Sequence, residues 1–390
     1  MSRRSRRSRR QQPIRKRGEV TILKSVSEDS ADKPVFCLIV PWMALGGADK
    51  CGLDLMAHYK RRGFRISVIT TREMTRSDSR REKEFLSLAD DVFCADSVIS
   101  IVRELQPVYT VVNNSHEAYD QCWAIKEVAP DTKLVSLFHM ILSPPWDFEK
   151  SLQRGTPFDL VLTVSDKLKG ELVERGVNKG MIETLHWFGF PEIKKTWPLR
   201  NTEKDPRYVL CPFRFHFQKR PEFVCDIAAE LAMLLPAAYM PVFKFVGDGE
   251  LYSKIIKRAA ELKVSHWIEF ERGIDYKQME RFYKRASALV CPSIDEGIPL
   301  TYFEAMQWSV PMAVSNVGAV SELVPSNYMI DFEMEDEAKE YAKLLFLHLT
   351  GQSRAEIHRA RKRVNEKFSK SVWDEKVERL IGSSLQRTLV

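Results

Sequence analysis

The chain has 390 residues, 44% hydrophobic and 29% charged, with a formal net charge of +7. That length exceeds one ordinary core and suits two domains, and the composition is that of a globular chain, not a disordered or fibrous one. No apolar run approaches the roughly 18 residues a membrane span needs.

Residues 1–18 (MSRRSRRSRRQQPIRKRG) hold nine of the Lys and Arg residues and no acid; the rest carries 51 basic against 53 acidic residues. The positive charge is therefore a tail property, and no specific nucleic-acid partner is expected of the fold. Three Ser-Arg-Arg repeats and few apolar residues predict a basic disordered tail over 1–33. Such a tail can contact an anionic membrane surface or another polyanion, or simply stay solvated. No apolar segment follows the arginines, so it does not read as a secretory signal. Seven scattered cysteines, with no C-x-x-C, suit reduced thiols in core strands and a cytoplasmic chain, with the tail as its point of peripheral membrane contact. No His/Cys cluster has zinc spacing.

Strand-like runs begin with VFCLIV (35–40), followed by a helical stretch from about Ala48, then RISVIT (65–70), VYTVVN (108–113), KLVSLF (133–138) and DLVLTV (159–164). Helical patterns separate them, which predicts a parallel sheet covered by helices. A polar stretch with three prolines, PEIKKTWPLRNTEKDP (191–206), reads as an interdomain linker. The alternation restarts with YVLCPF (208–213), PVFKFV (241–246), HWIEFE (266–271), ALVCPS (288–293) and PMAVSN (311–316), and a charged helical region follows from about Asp336. The fold class predicted is α/β, two doubly wound Rossmann-like domains facing a cleft, with ligands beyond the carboxyl ends of the strands.

The stretch EGIPLTYFEA places Glu296 and Glu304 eight positions apart, with Gly297, Ile298, Pro299 and Leu300 between them, after a predicted strand. Pro299 suits the first turn of a helix. Free N–H groups at that helix start make an anion site. A loop carboxylate and a helix carboxylate beside it could bracket a diphosphate and hydrogen-bond a sugar on either side. The bland alternative is two glutamates with no shared role.

With its continuation, EGIPLTYFEAMQWSVPMAVSNVGAVSELV resembles the signature of the retaining GT-B glycosyltransferases of family 4, the group 1 glycosyltransferases; Glu296, Glu304, Pro311, Gly318 and Glu322 carry the resemblance. Three further stretches match in order. FRFHFQKRPEF places Arg214 and Lys219 where the family holds the donor diphosphate. FVGDGELYSKI supplies Gly247 and Gly249, a turn that passes close to the nucleotide base. PWMALGGADKCGLDLM supplies Gly46 and Gly47, which would let the backbone approach the sugar diphosphate. His139 in HMI matches a histidine near the donor sugar and acceptor; Ser165 reads as a helix N-cap, and His116 and Trp146 as residues lining the acceptor side. Three positions depart from the family pattern: Arg220, Phe188-Gly189 and Ser309 stand where the family has Gly, Asn-Gly and Gly.

The resemblance implies transfer of a sugar from a nucleotide-diphosphate sugar to a saccharide, lipid-linked or other acceptor, with retention at the anomeric carbon, as in polysaccharide biosynthesis. Glu296, Arg214, Lys219 and His139 would act at the reacting end, and the glycines, the 297–300 segment and Glu304 would hold the donor. No cofactor or metal is expected. The implied organisation is an acceptor-side domain over 34–195, a linker at 196–206, a nucleotide-sugar domain over 207–368 and a C-terminal helix (369–390) packing back on the first domain. The alternatives are a non-catalytic nucleotide-sugar-binding scaffold and an epimerase or hydrolase on the same fold.

Overall fold

The computed structural model describes residues 20–25, 30, 32–43, 46–72, 82–139, 156–190, 205–352 and 354–381. The chain divides into two compact units, residues 1–137 with 142–160, and residues 138–141 with 161–390.

In the first unit the strands are β1 (Thr21–Lys24), β2 (Val35–Val40), β3 (Arg65–Thr70), β4 (Asp91–Cys94), β5 (Tyr109–Asn113) and β6 (Lys133–Phe138), in the spatial order β1-β4-β3-β2-β5-β6. β2 to β6 pair in parallel, and β1 runs antiparallel to β4. VFCLIV is buried at every position, as a strand covered on both faces must be. The helix Gly47–Arg61 crosses from β2 to β3 and stacks Tyr59 on Phe36, with centroids 4.4 Å apart.

β1 corrects the expectation of a disordered tail over 1–33. The apolar, β-branched TIL finds a ladder on β4, and the Lys24 ammonium donates to the Leu86 carbonyl at 2.8 Å and to that of Ala89. The arginine-rich residues 1–18 lie outside the described residues.

In the second unit β7 (Leu160–Thr163) and β8 (Ile182–Thr184) pair in parallel. A six-stranded sheet follows, built from β9 (Asp205–Cys211), β10 (Val242–Val246), β11 (Ile268–Glu271), β12 (Ala286–Cys291), β13 (Met312–Ser315) and β14 (Met329–Ile330), in the order β11-β10-β9-β12-β13-β14. All its neighbours are parallel. Chain progression reverses between β9 and β12, so this sheet has its topological switch point there. The predicted class, two parallel-sheet Rossmann-like units, is observed.

The expected linker lies mostly outside the described residues; by residue 205 the chain is already in β9. Residues 161–190 group with the second unit, where long-range pairs hold them. The Phe190 amide donates to Gln307 Oε1 at 2.7 Å, and Gln307 Nε2 returns a bond to the Phe190 carbonyl at 3.1 Å. The helix Lys370–Leu380 packs Trp373 edge-on to Trp187 and Phe188, with centroids at 5.1 and 5.2 Å. All seven cysteines are free and buried. Among the described residues no helix is long and apolar enough to cross a membrane.

His348, on the helix Glu337–Leu349, is 6% exposed and bonds through Nε2 to the Met312 carbonyl at 2.9 Å. Burial pushes its pKa down to about 4, against the opposing pull of that carbonyl. The unfolded chain takes up this proton near pH 6.5 and the folded chain only near pH 4. Stability is therefore lost as pH falls through that window, by about 2 kcal/mol between pH 6.5 and 5 from this group. Urea unfolding at pH 7.5 and 5.0 checks it: the drop should shrink in His348→Phe, whatever that variant does to stability at pH 7.5.

Candidate functional site

Three loops leave the carboxyl ends of β9, β10 and β12 and lock together. The Phe215 amide donates to the Asp248 carbonyl at 2.9 Å, and the Leu251 amide donates to the Phe215 carbonyl at 3.0 Å. The Ile294 amide donates to the Gln218 carbonyl at 2.9 Å, and Gln218 Nε2 donates to the Asp295 carbonyl at 2.8 Å. The Gly247-Asp248-Gly249 turn makes the first pair possible, because a Cβ at Gly247 would overlap the Phe213 carbonyl and one at Gly249 the Phe215 carbonyl. The structure thus gives these glycines a packing duty against the Arg214 loop.

Lys219 and Glu296 meet across the switch point. The ammonium hydrogen-bonds Glu296 Oε1, which also accepts from Ser293 Oγ at 2.7 Å. The pair is enclosed, with side chains 16% and 6% exposed. Arg214, on the same loop, is exposed, and no hydrogen bond or ion pair engages its guanidinium among the described residues. Asp295 is half-buried; burial, then the neighbouring Glu296 charge, raises its carboxyl pKa.

Gly297, Ile298 and Pro299 lead into the helix Leu300–Gln307, with Pro299 as N-cap and no side-chain cap bond. This helix start is held from two sides. Gly318, at φ 55°, sits so close that a Cβ there would overlap the Glu296 carbonyl, and a Cβ on Gly297 would overlap the His139 carbonyl. His139, Ser165, Lys167, Asp295, Glu296, Gly297 and Gly318 line a cavity of about 160 Å³. Burial pushes the His139 pKa down to about 4, leaving a neutral imidazole at neutral pH. A larger hollow, about 600 Å³, opens beside Tyr208, Lys244 and Arg285, where none of the motif residues lies.

Glu304 has a different environment. It is 2% exposed, and its two oxygens accept from the hydroxyls of Tyr276 and Tyr283, each at 2.7 Å. These tyrosines were not singled out by the sequence; an aromatic seven residues from another in DYKQMERFY was their only trace. Glu322 caps the helix Asp166–Glu174, accepting from the amides of Asp166 at 2.9 Å and Lys167 at 2.6 Å, and it lies 3.3 Å from His186 Nε2. Burial alone would raise its pKa; the His186 and amide bonds outweigh that and lower it. Asp166, His186 and Glu322 have ligand atoms within 4.8 Å of one another, but the Glu322 oxygens already serve amides at the positive end of a helix, a poor setting for a cation. Ser165 is the N-cap expected, accepting from the Leu168 amide at 3.1 Å.

Two departures from the family pattern fall at left-handed backbone positions. Arg220 and Ser309 occupy left-handed positions, φ 45° and 54°, where glycine is the unstrained choice. Arg220 offsets the strain with bonds to Glu337 at 2.6 and 3.1 Å, one to the Pro292 carbonyl at 2.9 Å, and contact with the Phe223 ring at 4.1 Å. Gly189 stays glycine because a Cβ there would come within 2.9 Å of the Glu304 amide.

In the first unit Gly46 is the N-cap of Gly47–Arg61, where a Cβ would lie 2.9 Å from Asp49 Oδ2. Nearby, beyond β3 and β5, Thr71 Oγ1 lies 2.8 Å from Ser115 Oγ, and Arg72 Nε donates to Glu117 at 2.5 Å. Burial raises the Glu117 pKa, but its backbone bond and Arg72 bring it below the usual range. His116 starts the short helix that Ser115 caps. Residues 140–155, including Trp146, lie outside the described residues.

Residues 194–364, less than half of the chain, match the family model Glycos_transf_1, glycosyl transferases group 1. A glycosyltransferase of Methanocaldococcus jannaschii, itself uncharacterised, is 31% identical over 130 residues, covering 33% of this chain and 36% of that protein. The match thus spans about a third of that relative's length. The lipopolysaccharide 1,6-galactosyltransferase of Escherichia coli K12 is 21% identical over 289 residues, 73% of this chain and 77% of the enzyme. Among solved structures, Anabaena HepE in complex with UDP-glucose superposes with a TM-score of 0.73 at 16% identity, over 90% of this chain and all of that one. At that identity the likeness establishes the fold, which is the GT-B architecture.

The enclosed Lys219–Glu296 pair generates a test. Lys219→Met strands a buried carboxylate and should cost about 3 kcal/mol, whereas Lys219→Met with Glu296→Gln should recover most of it. Urea denaturation of the two single variants and the double variant reads the coupling; additive losses would show that the pair is not a unit.

Proposed function

We propose that the protein is a glycosyltransferase that moves a sugar from a nucleoside-diphosphate sugar to a saccharide or lipid-linked acceptor, with retention at the anomeric carbon. The observation that carries this is the junction of Lys219, Glu296 and Arg214 with the uncapped start of helix Leu300–Gln307 at the switch point. The group 1 match over the same residues supports it.

The chemistry follows from charge. Breaking the anomeric C–O bond transfers an electron pair to the leaving diphosphate; the exposed Arg214 and the helix N–H groups would receive that charge, and Lys219 would contribute from within its pair with Glu296. No metal is needed for this role. Glu296, fixed by Lys219 and Ser293, orients hydroxyls of the donor sugar in the cavity that His139 borders. Being neutral, His139 offers hydrogen bonding without a competing charge. Glu304 receives the ribose. A uridine donor is the first to test, given UDP-glucose in HepE and the galactosyl transfer of the E. coli relative. Synthesis of a cell-surface polysaccharide or glycolipid is the setting we propose, with the arginine-rich residues 1–18 contacting an anionic membrane from the cytoplasmic side.

Thermal unfolding with UDP, GDP and ADP and their sugar conjugates tests the site. A ligand at 100 times its dissociation constant should add about 2.7 kcal/mol. Arg214→Ala should weaken binding about tenfold or more through loss of a charge-assisted contact. Absence of a shift with every nucleotide would refute the reading. Once an acceptor is found, the coupling constant of the product's anomeric proton by NMR decides between retention and inversion.

A further inference from the structure

The two hydroxyls on Glu304 are not equivalent. Tyr283 is fully buried on the helix Met279–Arg285 and donates to Oε2. Tyr276 is half-buried and donates to Oε1 from the first residue of the short turn Tyr276–Gln278. Exposed residues Arg272, Gly273 and Asp275 precede that turn, and Gly273 has φ 72°, so the segment ahead of Tyr276 is a bend on the surface. The Tyr276 ring lies nearly parallel to Phe190, 5.9 Å away.

A carboxyl group 2% exposed needs hydrogen-bond partners inside the protein, and Tyr276 and Tyr283 supply one to each oxygen. Each oxygen can accept more than one hydrogen bond, but Glu304 is 2% exposed, and the half-buried Tyr276 on Oε1 is the donor whose displacement gives a ligand hydroxyl room. Tyr283 cannot leave without opening the core; Tyr276 can turn outward with its surface segment. We propose that the Tyr276 hydroxyl is an exchangeable stand-in for a ribose hydroxyl. It holds Glu304 aimed while the site is empty and yields Oε1 when the nucleoside enters. Tyr283 is a positioning residue that fixes the carboxylate throughout. This rests on the reading that the ribose of the donor lies at Glu304.

The consequence is a competition. Tyr276→Phe removes the competing hydroxyl and leaves Oε1 without that donor, so a ribose diol should bind more tightly, while a nucleotide lacking the diol should gain nothing. Calorimetric titration of UDP, ADP and GDP, each beside its 2′,3′-dideoxy analogue, measures this on the full chain. For the nucleotide that binds, the ratio of the dideoxy to the ribose dissociation constant should rise about fivefold in Tyr276→Phe. Tyr276→Ala should move it in the same direction, and Tyr283→Phe should lower it. Circular dichroism melting establishes that each variant is folded. If a nucleotide binds but the ratio is unchanged or falls in both Tyr276 variants, the stand-in role is wrong and the donor-site reading survives. If none of the three nucleotides binds the wild-type chain, the donor-site reading fails, and the stand-in role fails with it.

Discussion

The carboxyl edge of the second sheet is organised around one enclosed ion pair, Lys219 with Glu296. Removing both charges from water is expensive, and their attraction offsets it only when further hydrogen bonds complete the geometry. Ser293 supplies such a bond to Glu296, and the exchanges between Gln218 and residues 294–295 fix both loops. The pair also settles how charge is presented. Lys219 is largely neutralised by Glu296, so the exposed positive charge is Arg214, backed by the helix start at Leu300. On the proposed reading, an incoming dianion would meet cations that are already placed, with little reorganisation left to do.

Backbone contact density explains why the surrounding residues are small. The 247–249 turn presses on the Arg214 loop, and Gly318 presses on the Glu296 carbonyl, so each loop is located by its neighbour's main chain rather than by long side chains. Where the chain gives up glycine it supplies a compensation. Arg220 accepts a left-handed backbone, which costs about 1 kcal/mol or more, and its guanidinium then joins Glu337, the Pro292 carbonyl and the Phe223 ring. A substitution that looks disruptive in sequence becomes a tie between the Lys219 loop and the helix Glu337–Leu349.

Sequence composition exposed the long buried strands, because VFCLIV is apolar on both faces and RISVIT is β-branched and largely buried. It passed over β4, β8 and β14, whose four, three and two residues carry no period and exist through pairing with distant neighbours. β1 was hidden by the arginine-rich run before it. At the site, Arg214, Lys219 and Glu296 were legible as charges in a known order. The partners of Glu304 were not, since a tyrosine hydroxyl 21 residues upstream leaves no spacing signature. The placing of residues 161–190 with the second unit was equally invisible, as it depends on Gln307, Glu322 and Trp373 from far along the chain.

The eight-residue spacing of Glu296 and Glu304 has its explanation in these two environments. Glu296 is paired with a cation, so the pair adds almost no net charge beside the diphosphate position. Glu304 is buried and held by two tyrosine hydroxyls instead of a cation's charge. A full carboxylate charge next to a diphosphate would repel it; a carboxyl group further along the helix, held by two hydroxyl donors, is set apart from that position and can accept from hydroxyl groups. Between them the Gly-Ile-Pro segment opens a helix whose free amides face neither carboxylate as a cap. The start of a helix thus separates a carboxylate paired with a cation from a carboxyl group held by hydroxyls. On the proposed donor site, that ordering would give a nucleoside-diphosphate sugar a different counterpart for its sugar, its phosphates and its ribose.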